Sequence, residues 1–472
     1  MDHDGLLRRR NSPPFEGRHR WKDESFLFLS VAVLVVLSRL PFLGPGYGTQ
    51  PDAWRVAVAA HSIATTGEYS ASRFPGNPVP ELVCALLWTG GPWALNGMTA
   101  LLSGIGCAFF ALSMKVLGRK DPVLAGLALG FVPVVYIYST MSVDSVWALA
   151  FTLAALYFVL VRRSLLAGVA LGMAIGCRIT SGAMLIPLAL LLAMGQPKRE
   201  ALRAMLRFSG VAGIVGVAAF APVVAKYRWS WLTFYELMGY PPWRDVVQLA
   251  TVDVWGSLGF VGLLVALASF AFTPNKFRAI RFKPMSDVGL QSTAWVLVIA
   301  LYAIAYLRLP HQSKYLIPIV PFVILLLNGV LDRRVFVFVC CMLIASPFVT
   351  IGRAGMHAGL IFSDHAARRK DMELVEEFIS RANDLRQEAV IVAGPWLPKI
   401  HGVLLERPQG IAEYVHSLDA SELQRRLSQG STVYYLPEME KHNAAATGID
   451  LANFGAQPLL ATDSGDLRTE HQ

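Results

Sequence analysis

Apolar residues in this chain gather into long runs, separated by polar and mostly basic punctuation, from residue 26 to residue 349. The runs fall at 26–43, 94–117, 123–138, 143–161, 165–177, 183–194, 208–224, 254–272, 294–309, 316–330 and 335–349. Most approach the roughly 20 apolar residues that carry a helix across a bilayer. Lys and Arg cluster on alternate sides of the runs. Arg8, Arg9, Arg10, Arg18, Arg20 and Lys22 precede the first. Lys115, Arg119 and Lys120, then Arg162 and Arg163, then Lys198, Arg199, Arg203 and Arg207 follow the second, fourth and sixth. Lys276, Arg278, Arg281 and Lys283, then Arg333 and Arg334, follow the eighth and tenth. Basic loops stay cytoplasmic. The pattern therefore predicts an all-α polytopic membrane bundle of about 11 transmembrane helices, a plasma (inner) membrane protein with its N-terminus cytoplasmic.

The rhythm changes at both ends. Residues 1–24 are polar, Arg-rich and interrupted by Pro13 and Pro14, and read as a disordered cytoplasmic tail. Residues 25–350 form the membrane domain. Its first outer loop, 44–83, holds an amphipathic stretch from Asp52 to Ala64 that is expected to lie as a helix on the membrane surface. Residues 351–472 read as a small extracytoplasmic α/β soluble domain, with helices at 371–382 and 420–427 and strands at 388–393 and 431–436. No nucleotide-binding glycine signature occurs in that segment.

Composition sharpens this picture. Of 472 residues, 54% are hydrophobic and 16% charged, against about a quarter charged in soluble proteins. The net charge of +9 is unevenly spread: residues 351–472 hold 12 Lys/Arg and 17 Asp/Glu, so the basic excess lies beside the apolar runs. That distribution suits a membrane surface and gives no reason to expect nucleic acid. Cys84, Cys107, Cys177, Cys340 and Cys341 sit in or beside apolar segments, implying neither a disulfide framework nor a zinc site.

Candidate chemistry gathers at the outer ends of the runs. Asp52 opens the surface helix and is either a general base or a first-turn acid facing the helix dipole. Arg55, one turn on, is placed to orient it, and Glu81 stands at the mouth of the next run. Asp144 begins the fourth run. Arg178 ends the fifth on the outer side, against the charge rule, where a lipid phosphate would give it a partner. Arg308, His311 and Lys314 cluster beyond the ninth, suited either to a phosphate leaving group or to interfacial anchoring. The outer aromatics Trp229, Trp231, Tyr235, Tyr240 and Trp243 suit a sugar face or the membrane interface equally.

The order of these residues resembles the GT-C superfamily of integral-membrane glycosyltransferases, in the branch of the protein O-mannosyltransferases and lipid A aminoarabinose transferases. The segments that carry the resemblance are Gln-Pro-Asp52-Ala-Trp-Arg55, Arg73-Phe-Pro-Gly-Asn-Pro-Val-Pro-Glu81, the helix from Asp144 to Tyr157, the Gly-rich run ending at Arg178, and His311-Gln-Ser-Lys314-Tyr315-Leu-Ile-Pro-Ile-Val-Pro321. The resemblance implies a polyprenyl-phosphate-linked sugar donor, transfer outside the cytoplasm with inversion at the sugar carbon, and Asp52 as the base. It implies Arg178, Lys314, His311 and Arg308 on the donor phosphate, and Arg55, Glu81 and Asp144 in support on the acceptor side. The partners expected are that donor, membrane lipid, and a glycan, lipid or protein acceptor. Many members carry two adjacent acids in the first loop. Here Ala53 follows Asp52, which leaves a divalent metal an open question. A transporter or lipid flippase would place its charges near mid-membrane, unlike this chain. A polysaccharide polymerase or ligase shares the lipid-linked substrates, and its usual large Arg- and His-rich outer loop has only a modest counterpart here.

Overall fold

A computed structural model describes residues 14–232, 239–271, 287–352, 355–385, 387–405, 410–437 and 439–460. Tyr235 and the basic cluster Lys276, Arg278, Arg281 and Lys283 lie outside the described residues, as do Arg8, Arg9 and Arg10. Six helical stretches among the described residues are long and apolar enough to cross a membrane: Asp23–Phe42, Trp88–Val116, Lys198–Tyr227, Val252–Ser269, Gly289–Arg308 and Ser313–Val330. Shorter apolar helices at Pro122–Phe131, Asp144–Leu160, Ser164–Cys177 and Ile179–Ala193 complete a multi-pass helical bundle.

Helix α1 (Pro14–Arg39) starts inside the stretch expected to be a disordered tail. Helix α2 (Pro51–Thr66) matches the expected surface helix, with Pro at its first position and Gly67 in the left-handed conformation at its end. Its environment differs from the expectation. Asp52, Ala53, Trp54, Val56, Ala57, Ala59 and Ala60 are all buried, because the helix is covered on more than one side. Helices α3 (Pro78–Leu86) and α4 (Gly91–Val116) follow. The third expected span is broken into α5 (Pro122–Phe131) and α6 (Pro133–Tyr138), since Pro133 cannot continue the helical ladder. The fully buried Arg39 fills that break. Its guanidinium donates to Ser139 Oγ at 3.0 Å and to the Gly130 carbonyl, and lies 4.1 Å from the Tyr136 ring centre.

Helices α7 (Asp144–Leu160), α8 (Ser164–Cys177), α9 (Leu185–Ala193) and α10 (Lys198–Tyr227) come next. The glycines of α8 fall at every fourth residue. A Cβ added at Gly168 or Gly172 would lie within 2.7 Å of atoms of α10, so these two helices meet almost backbone to backbone. Helices α11 (Trp243–Ala250), α12 (Val252–Ala271), α13 (Asp287–Arg308), α14 (Val320–Val330) and α15 (Arg333–Ala345) finish the bundle. Helix α15 stops short of the expected end at residue 349. The chain turns there into an antiparallel hairpin, β1 (Val349–Gly352) with β2 (Gly355–Ala358).

The rest is α/β. Helix α16 (Leu360–Asn383) begins well before the helix expected at 371–382. Strands β3 (Ala389–Val392), β4 (Ala412–Val415), β5 (Thr432–Tyr435) and β6 (Gln457–Pro458) make a parallel sheet in the order β4-β3-β5-β6. Helices α17 (Leu397–Leu404), α18 (Ala420–Ser428) and α19 (Met439–Thr447) connect them. Val390, Ile391, Val392, Val433, Phe378 and Leu423 form a hydrophobic core separate from that of the bundle. This layer clamps α2. A Cβ on Gly402 of α17 would come within 2.4 Å of the Trp54 ring, a contact only glycine allows.

Candidate functional site at the helix ends

Two helix N-termini bring two carboxylates together. Asp52 lies in the first turn of α2 and Asp144 in the first turn of α7, 6% and 1% exposed. First-turn acids are favoured by the helix dipole. Arg73 joins them. It donates from Nη1 to Asp52 Oδ2 at 2.6 Å and from Nη2 to Asp144 Oδ1 at 2.9 Å. Lys314 Nζ, fully buried in the 3-10 turn that precedes α14, donates to Asp52 Oδ2 at 2.5 Å. Arg55 holds the other oxygen, Oδ1, at 3.1 Å. Arg178 stands 3.6 Å from Asp144 Oδ2, its guanidinium 4.9 Å from the Tyr315 ring centre. Burial alone would raise the Asp52 carboxyl, but Lys314, Arg73 and Arg55 outweigh it and hold the group well below the usual carboxylate range.

Beside the knot opens a cavity of about 500 Å³. Arg178, Arg308 and Lys314 line it, together with the apolar Ala148, Leu149 and Leu309. Four cations, Arg55, Arg73, Arg178 and Lys314, face two carboxylates here, so the site has positive charge in excess and suits an anion beside an apolar chain. The crystal structure of ArnT from Cupriavidus metallidurans bound to undecaprenyl phosphate matches 92% of this chain and 89% of that one, with a TM-score of 0.50 at 14% identity. This chain shares the fold of ArnT. The apo state of the same protein also matches, over 82% of this chain and 73% of that one, with a TM-score of 0.46 at 16% identity. No protein-family profile matches the sequence, and no curated protein matches it significantly. The resemblance to GT-C proteins of the aminoarabinose transferase branch thus reappears as a likeness of fold.

Within the ArnT-like fold, the expected residues divide. Asp52, Arg55, Asp144, Arg178 and Lys314 converge in one knot, and Arg308 lines the adjoining cavity. His311 is half-buried and is not among the described residues that line that cavity. Glu81 is fully buried away from it. Its carboxylate accepts from Ser72 N at 2.8 Å, from Ser72 Oγ at 2.6 Å and from the Tyr69 hydroxyl, which fixes the loop next to Arg73. Burial pushes the Glu81 carboxyl up.

Arg73 is the member to which the sequence assigned no role, although it opens one of the segments that carry the resemblance. Its signal was the rigid setting, Arg73-Phe-Pro-Gly-Asn-Pro, which reads as a built turn. A divalent cation does not fit the knot, because the carboxylate oxygens already face Arg and Lys nitrogens. Among the described residues no group of three or more His, Cys, Asp and Glu side chains is placed to hold a metal.

Proposed function

We propose that this protein is a glycosyltransferase that moves a sugar from a polyprenyl-phosphate donor to an acceptor on the non-cytoplasmic face of the membrane, with inversion at the sugar carbon. The observation that carries the reading is the 500 Å³ cavity lined by Arg178, Arg308 and Lys314, with Lys314 paired to Asp52. A second, apolar cavity of about 300 Å³, lined by Trp243, Val254, Leu307 and Leu316, meets the first at Tyr306 and suits an isoprenoid chain. The ArnT structure sharing the fold binds undecaprenyl phosphate, a lipid of this class.

In this reading Arg178, Lys314 and Arg308 hold the donor phosphate and stabilise the negative charge it gains as the sugar carbon–oxygen bond breaks. An acceptor hydroxyl attacks that carbon from the opposite side, and Asp52 takes its proton. Asp52 is a poor base while Lys314 and Arg73 occupy Oδ2. A bound phosphate competes for Lys314 and returns basicity to Asp52 when the donor is in place. Arg73 keeps Asp52 and Asp144 in register, and Glu81 acts through the loop that holds Arg73. His311 has a lesser part at the rim.

The reading goes with eleven spans, α5 and α6 together counting as one, and with residues 25–350 as the catalytic membrane domain. Residues 351–472 then form an extracytoplasmic α/β domain, and the N-terminus is cytoplasmic. The test is direct. Lipids extracted from the purified protein are identified by mass spectrometry, and radiolabelled sugar is followed from a polyprenyl-phosphate donor into cell-envelope material. A polyprenyl-phosphate sugar should co-purify and be consumed, and Arg178→Met should lower its retention. Solute uptake into proteoliposomes without any acceptor would overturn the reading in favour of a transporter.

A further inference from the structure

A third cavity, of about 640 Å³, lies away from the charged knot, between α2 and the edge of the parallel sheet. Val58 and His61 of α2 form one wall. Glu413 and Tyr414 of the edge strand β4, with His401 of α17 and Asn383 at the end of α16, form the other. Polar and apolar surface are balanced in it, unlike the mainly apolar lining beside Lys314. No Lys or Arg occurs among its described lining residues. Glu413 is neutralised by Arg426, whose Nη1 and Nη2 donate to its two oxygens at 2.6 and 3.0 Å. Burial lowers the His401 imidazole, because it disfavours the charged ring. Uncharged donors and acceptors beside flat aromatic faces recognise polyhydroxylated rings rather than phosphates.

Helix α2 joins the cavity to Asp52. Asp52 and His61 are nine residues apart on α2, two and a half turns, so His61 and the cavity lie across the helix from Asp52. At the other wall, His416 directly follows β4 and lies within electrostatic reach of Arg55. The walls are held in place: Trp54 packs on Gly402, and the His61 ring meets Trp88 edge-on at 4.9 Å. We infer that this cavity between α2 and β4 binds neutral sugar residues of the acceptor, on the face of α2 opposite Asp52. The acceptor is therefore a glycan or a glycan-bearing molecule. Its place in the reaction rests on the transferase reading; the binding site itself does not.

The test uses the full chain in detergent, applied to an array of neutral and sulfated oligosaccharides, with binding of undecaprenyl phosphate measured on the same preparation. Neutral oligosaccharides should be retained in preference to sulfated ones. Tyr414→Ala and His61→Ala should each weaken that retention about tenfold or more, the loss expected when a ring-stacking face is deleted. Tyr414→Phe should restore most of it, which separates ring recognition from a folding defect. Retention of sulfated glycans alone, or neutral binding that both alanine variants leave intact, would overturn the inference. Loss of undecaprenyl phosphate binding with glycan binding preserved would overturn the transferase reading and leave this site standing.

Discussion

Two clusters of buried charge touch the first outer loop, and they are built to opposite plans. Around Asp52 and Asp144, cations outnumber carboxylates and a cavity opens alongside. Around Arg368, on α16, one guanidinium meets one carboxylate, Asp364, at 2.7 Å. Its other contacts go to the Phe42 carbonyl at 3.0 Å, the Thr140 carbonyl at 2.9 Å and Thr140 Oγ1 at 2.7 Å, while Thr49 donates to Asp364 at 2.8 Å. That cluster is balanced and closed by backbone, so it fastens α16 to the loops after α1 and α6. The knot around Asp52 keeps charge to spare for a ligand. Burial alone does not mark a functional charge; imbalance next to open space does.

Substitutions on the two sides should therefore separate activity from stability. The largest effect is expected at Asp52→Asn, which keeps the shape but removes the proposed base: transfer should fall by about 10²–10⁴-fold in single-turnover assays, with expression retained. Normal turnover would remove Asp52 from the chemistry. Arg368→Ala should instead cost about 3–5 kcal/mol of stability by leaving the half-buried Asp364 without its counter-ion and the Phe42 and Thr140 carbonyls without their donor. That loss is read as an earlier thermal unfolding transition in detergent, with transfer per folded molecule little changed. If Arg368→Ala loses activity without losing stability, the two clusters are not distinct in the way their geometry implies.

Lys314→Met should lower the rate by about 10²–10³-fold if the proposed mechanism holds, in which Lys314 is one of the donors to the leaving phosphate. It should also weaken undecaprenyl phosphate binding. An unchanged binding constant with a reduced rate would confine Lys314 to Asp52. The smallest effect is expected at Glu81→Gln, and its sign depends on pH. The raised Glu81 carboxyl favours the folded state below its unfolded pKa of about 4.3, and that contribution is lost as pH rises through the folded value. The depressed Asp52 behaves oppositely: its contribution is present above about 3.9 and lost as pH falls toward the folded value. Relative to the unaltered protein, Glu81→Gln should gain stability between pH 4 and 7, by about 1 kcal/mol or less, measured as the shift in unfolding midpoint. A gain confined to acid pH would contradict the assigned direction.

Hydrophobic runs determined most of the bundle in advance, because a bilayer admits few alternatives to apolar helices whose backbone bonds are made internally. Helices α4, α7 and α8 begin and end close to where the runs do. The first-turn placement of Asp52 and Asp144 was equally legible, since Pro51 and the start of each apolar run mark a helix start. Tertiary structure decided the rest. The runs give no warning that α15 would yield to a hairpin, that Pro133 would split a span around Arg39, or that α17 would press on Trp54. Nor do they reveal Arg73 as the bridge, because its two partners stand 21 and 71 residues away in sequence. Periodicity encodes which face of one element is buried; it carries no record of which distant charge will be buried against it, and only the packed bundle settles that.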